Sequence, residues 1–80
     1  MTREEIKGQL TEIFRDIFDD EDIVLTDATT ADDIEDWDSL EQINLLVAIE
    51  KQFNIKFQLA DVSNLENVGA MIDLVAKLVG

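Results

Sequence analysis

Chemistry is most readily placed in this chain at Asp38-Ser39-Leu40, where a long aperiodic stretch meets an apolar-periodic run. Asp38 is a residue type that caps helix N-termini, Ser39 follows it, and Leu40 begins an apolar face. A hydroxyl in the first turn of a helix is exposed and lies near backbone N–H groups that have no partner within the helix. A phosphate ester placed there is favoured by those donors and by the helix dipole. The carboxylates of Asp36 and Asp38 repel free phosphate, so the position suits enzymatic attachment rather than spontaneous binding. As a bare tripeptide the pattern is also an ordinary helix start, and chance supplies many such matches.

Other chemistries are poorly supported. The chain has no His and no Cys, so a Ser-His-Asp arrangement, a thiolate zinc site and a disulfide framework cannot be built. A Ser-Lys pair would need Lys7, Lys51, Lys56 or Lys77 buried beside a serine, and nothing in the spacing suggests it. Carboxylates are abundant, but 80 residues of helical protein leave little room for a pocket of the usual few hundred cubic ångströms. A calcium loop starting at Asp22 fails, because Val24 and Thr26 stand at its third and fifth positions and Asp27 replaces the glycine at its sixth. No metal site is expected, and a non-catalytic protein follows.

The elements that must position Ser39 are helices. The spacing predicts helix 1 from about Arg3 to Phe18, with Thr2 and Glu5 as a capping box and Ile6, Leu10, Ile13, Phe14 and Ile17 on one face. Gly8 weakens it locally. Residues 19–37 have no sustained period; Ile23, Leu25, Ile34 and Trp37 are the expected pins, with one helical turn near Ala31–Glu35 behind Thr30. Helix 2 is expected from Ser39 to Phe53, capped by Asp38 with Glu41 completing a capping-box-like pair, and ended by a left-handed Asn54. Its apolar positions cover more than half of its circumference, which predicts the central helix of the domain. A turn near Leu59–Val62 and a last helix from about Leu65 to Val79, capped by Asn64 and facing inward with Val68, Met71, Ile72, Val75 and Leu78, complete one all-α domain over residues 1–80. It has three main helices, one short helix and a long loop between helices 1 and 2.

Charge sets the environment. The net charge is −13, with 46% hydrophobic and 31% charged residues. Residues 1–15 and 51–80 are each neutral, so the whole excess lies in residues 16–50, which hold 13 acids and no base. Such a chain repels nucleic acids and anionic membranes, and its partners should be basic. No apolar run resembles a signal peptide or a membrane span, and a cytoplasmic monomer is the expectation.

The context of the tripeptide resembles the acyl carrier proteins. Asp38-Ser39-Leu40, then Ile43, Leu46, Val47 and Ala48, then Ile49-Glu50-Lys51-Gln52-Phe53-Asn54-Ile55 match the second helix of that family and its end, and the likeness in length, acidity and helix order covers the whole chain. The resemblance implies a four-helix bundle whose Ser39 receives 4′-phosphopantetheine from coenzyme A through a phosphopantetheinyl transferase. The thiol of that covalent cofactor then holds acyl groups, fatty acid or polyketide precursors for example, as thioesters. Asp38 resembles the acid that caps the helix and is recognised by the transferase. Leu40, Glu41, Asn44 and Glu50, with Asp36 and Trp37 just before the serine, fall at positions facing partner enzymes: the transferase, an acyl-loading ligase or acyltransferase, and a downstream synthase, each with a basic docking surface.

Four positions depart from the fatty-acid-synthesis type. Asp36 replaces a usual glycine, Trp37 a small residue, and Asn44 and Lys51 acids. These departures imply a specialised carrier, in polyketide, lipopolysaccharide-acyl or aminoacyl transfer. The alternative from the residues alone is an unmodified acidic interaction module, such as a nucleic-acid mimic or inhibitor.

Overall fold

The computed structural model describes residues 1–63 and 65–79. Helix α1 spans Arg3–Ile17, α2 Ser39–Phe53, α3 Leu59–Val62 and α4 Val68–Val79, and a 3₁₀ turn at Ala31–Asp33 interrupts the long connection between α1 and α2. Among the described residues there is no strand, and the architecture is the all-α one that the periodicity predicts.

α1 begins at a capping box. The Glu5 N–H donates to Thr2 Oγ1 and the Thr2 N–H donates to Glu5 Oε1, each at 3.1 Å, which satisfies two donors that a helix start leaves open. The Thr2 backbone N–H, and after it the Thr2 hydroxyl, hold the Glu5 carboxyl below its ordinary value. Ile6, Leu10 and Phe14, spaced four apart, are fully buried, and Ile13 and Ile17 pack at their flank. The helix ends as α2 does. The Asp20 N–H reaches Arg15 O at 3.1 Å around a left-handed Asp19 (φ 50°), and the Ile55 N–H reaches Glu50 O at 3.0 Å around a left-handed Asn54 (φ 55°). Asn54 is where the sequence places such a residue; Asp19 carries no comparable signal.

The centre of the bundle is α1, not α2. α1 packs on both α2 and α4. α2 contributes Leu45 and Ile49 to the fully buried core, and α4 contributes Val68, Met71, Ile72 and Val75. The broad apolar surface of α2 is only partly covered, and Leu40, Ile43 and Val47 are exposed. A domain this small has too few neighbours to surround an apolar helix on every side.

The long connection is pinned as expected by Ile23 and Leu25, both buried, and by Ile34 and Trp37, which pack against the core. Polar bonds fix its path. Arg15 Nε donates to Ile23 O at 3.0 Å, the buried Thr29 hydroxyl accepts from the Thr26 N–H at 2.9 Å, and Arg3 pairs with both Asp27 and Asp73. Thr30 precedes the 3₁₀ turn as read from the sequence, and its N–H donates to Asp33 Oδ2 at 2.9 Å.

α4 starts three residues later than the sequence suggests. The N–H groups of Val68 and Gly69 donate to Thr29 O (2.8 Å) and Asp27 O (2.9 Å), and Asn67 Oδ1 accepts from the Ala70 N–H at 2.8 Å. The first turn is therefore completed by the loop and by Asn67, which sets the start at Val68. The expected cap at Asn64 lies outside the described residues.

Gly8 lies within α1 on its exposed side, and a Cβ there would meet nothing within 4 Å. Gly8→Ala is expected to stabilise the domain by about 0.8–1 kcal/mol. A thermal melt should show this as a midpoint raised by roughly 4–8 °C. An unchanged midpoint would mean that α1 gains nothing there from a better helix former.

Candidate functional site

Ser39 is the first residue of α2 and is exposed. Asp38, in extended conformation (φ −117°, ψ −171°), makes the helix start: its Oδ1 accepts from the Glu41 N–H at 2.9 Å, and its carbonyl accepts from the Gln42 N–H at 2.9 Å. Glu41 does not close a capping box with it. Its carboxylate instead accepts from Asn44 Nδ2 at 2.9 Å, one turn along the helix. Asp38 thus occupies two donors of the first turn, while the Ser39 and Leu40 N–H groups have no acceptor among the described residues.

Trp37 fixes this corner to the core. Its indole Nε1 donates to Gln42 Oε1 at 2.6 Å, and its ring stands edge-on to Phe14, with centroids 5.1 Å apart and planes at 84°. Phe18 completes the cluster at 6.5 Å from Trp37. This is the loop-anchor role read from the sequence, executed at the N-terminal end of α2. Nothing in the sequence marks Gln42 as its partner, because a spacing of five residues across a helix start follows no local rule.

Beside Ser39 opens a cleft of about 600 Å³ lined by Ala31, Trp37, Asp38, Ser39, Gln42, Ile43, Val62, Leu65 and Glu66. The expectation that so short a chain leaves little room is corrected here. The segment around α3 stands off the end of α2 and leaves an open, mostly apolar trough. Of the acids in residues 16–50, only Asp27 is ion-paired among the described residues. Screening should therefore relieve repulsion, and the melting midpoint is expected to rise between low and physiological salt. A midpoint indifferent to salt would mean that this crowding carries no cost.

The remaining residues singled out from the sequence are spread along this face. Asp36 is exposed just before Trp37, Leu40 is 66% exposed, and Asn44 is exposed and holds Glu41. Glu50 has a structural partner: its Oε2 accepts from the Phe57 N–H at 2.8 Å, tying the end of α2 to the following connection. Ile43 and Val47 were not singled out, although their i, i+3, i+7 relation to Leu40 places all three on one side of α2.

This corner fits a phosphopantetheine. Exposed Ser39 offers the ester oxygen, two open N–H groups and the helix dipole favour its phosphate, and the apolar trough runs from the same point. Comparison with known families agrees: residues 8–75 match the family model described as a phosphopantetheine attachment site. The chain belongs to the acyl carrier protein family. It is 32% identical over 78 residues to an acyl carrier protein of Petrotoga mobilis, covering 96% of this chain and 91% of that one. The solution NMR structure of a holo acyl carrier protein from Geobacter metallireducens superimposes with a TM-score of 0.86 at 50% identity, covering 90% of this chain and 83% of that one. The covalently attached cofactor of this family is 4′-phosphopantetheine, whose terminal thiol supplies the thioester chemistry that a chain without cysteine lacks. No helix among the described residues is long and apolar enough to cross a membrane.

Proposed function

We propose that Ser39 carries the phosphopantetheine and that residues 1–80 act as a single, non-catalytic carrier domain, a cytoplasmic monomer that presents acyl or aminoacyl thioesters to other enzymes. The observation that carries this reading is the exposed Ser39 hydroxyl at the first position of α2, beside two open N–H groups and at the edge of the apolar cleft. Asp38 holds the helix start that presents the hydroxyl, and Trp37 holds that start against Phe14. Neither group takes part in a reaction; each fixes where the serine points. Leu40 and Asp36, exposed on either side of Ser39, are the first surfaces that a modifying enzyme meets.

The specialised character inferred from Trp37, Asn44 and Lys51 also belongs to this proposal. Trp37 ties a bulky ring into the core beside the serine, and the recognition helix carries Asn44 and Lys51 among its exposed residues. The test is to incubate the apo chain with coenzyme A and a broad-specificity phosphopantetheinyl transferase and to weigh the product. One added phosphopantetheine, mapped to the peptide containing Ser39, is expected. No addition under conditions that modify a control carrier would overturn the reading.

A further inference from the structure

The surface around Ser39 divides its apolar and its charged parts between two elements. On α2, Leu40, Ile43 and Val47 are 66%, 59% and 44% exposed and share one side of the helix. The only charged residues of α2 are Glu41, Glu50 and Lys51. Both acids are already engaged, Glu41 by Asn44 and Glu50 by the Phe57 N–H. The connection before the helix is the opposite. Residues 16–38 hold 11 acids and no base. Asp32, Glu35 and Asp36 are exposed, and their carboxylates have no partner among the described residues. This stretch borders the same cleft as Ser39, through Ala31 and Trp37.

We propose that enzymes acting at Ser39 take the Leu40–Ile43–Val47 side of α2 into an apolar groove and are steered by a basic patch lying over the preceding connection, opposite Asp32, Glu35 and Asp36, rather than along the helix. The inference rests on Ser39 being the attachment residue. The partner is thus an enzyme whose Lys and Arg residues flank its groove on the side toward the N-terminus of α2. Long-range attraction between that patch and the loop acids speeds encounter and weakens with salt, whereas the apolar contact holds the complex and is nearly indifferent to salt.

The test uses the whole apo chain, coenzyme A and a broad-specificity phosphopantetheinyl transferase, with rates followed by intact mass. One variant neutralises the loop (Asp32→Asn, Glu35→Gln and Asp36→Asn together). A second removes the same number of charges from the exposed α1 side and the turn after it (Glu12→Gln, Asp16→Asn and Glu21→Gln). A third is Ile43→Ser with Val47→Ser. The loop variant is expected to lose about tenfold in kcat/KM at low salt and to converge on the parent at high salt, with kcat unchanged. The second variant should stay within about twofold of the parent, since charge remote from the docking face contributes little once screened. The apolar pair should raise KM at every salt concentration. A loop variant indistinguishable from the second variant would overturn the steering role, and an apolar pair with the parent's KM would overturn the groove. Failure of the parent itself to be modified, while a control carrier is, would remove the Ser39 reading and this inference with it.

Discussion

Ser39→Ala is expected to leave the fold intact and to abolish attachment of phosphopantetheine completely. The two outcomes separate because the structure assigns the two jobs to different residues. Helix initiation belongs to Asp38, whose carboxylate takes the Glu41 N–H and whose carbonyl takes the Gln42 N–H. The hydroxyl of Ser39 makes no bond within the protein among the described residues, and its side chain faces solvent. Alanine at the first helical position is a good helix former, so the change in stability should stay within about 0.5 kcal/mol. The parent chain should shift fully to the holo mass with coenzyme A and transferase, while the variant stays at the apo mass with an unchanged melting midpoint. Residual addition to the variant would place the attachment on another residue.

What was legible in the sequence is what local chemistry decides. Thr2 with Glu5, Asp38 with the N–H three residues on, and Asn54 in the left-handed region each depend on a few neighbouring residues. The ends of α2 and the start of α1 follow from them to the residue. The burial of Ile6, Leu10 and Phe14 was equally readable, because a narrow stripe has only one way to face a core. The breadth of apolar surface on α2 misled for the complementary reason. Breadth reports how much surface seeks cover, not how much cover a small domain can supply, so Leu40, Ile43 and Val47 remain outside.

The site divides in the same way. Ser39 and its capping acid are contiguous and readable, whereas the Trp37–Gln42 bond and the cleft wall from Val62 to Glu66 exist only once α3 and α4 have docked. The acidity shows a third case. Composition fixed its amount and sequence position, but only the structure shows that Glu41 and Glu50 are committed to internal bonds while Asp32, Glu35 and Asp36 are not. That distinction moves the expected point of charge recognition from the helix to the connection before it.

Gly69→Ala is expected to be the costliest exchange for its size in the chain, and it lies in the loop–α4 junction rather than at Ser39. A Cβ on Gly69 would stand 2.9 Å from Asp27 O, 3.0 Å from Asp27 Cβ and 3.3 Å from Asp27 Cα. The opposing atoms are mainly backbone, so no side-chain rotation clears them. Retreat of the loop would stretch the Gly69 N–H bond to Asp27 O (2.9 Å) and, beside it, the Val68 N–H bond to Thr29 O (2.8 Å). Thr29 cannot follow freely, since its buried hydroxyl accepts from Thr26, and Asp27 is held by Arg3. Overpacking costs about 1–3 kcal/mol. A lost hydrogen bond adds about 1 kcal/mol. Alanine's better helix propensity returns about 1 kcal/mol. The net loss is then about 2 kcal/mol, or a midpoint lowered by roughly 8–16 °C in a domain of this size. The amides of Val68 and Gly69 should exchange faster with solvent than those of the α1 core, because the junction opens before the bundle does. Gly8→Ala is the internal control, since it adds the same methyl to a helix of the same domain and should move the midpoint the other way. Two alanine variants shifting together would mean that helix propensity alone governs both sites and that the loop does not hold α4 as the structure shows.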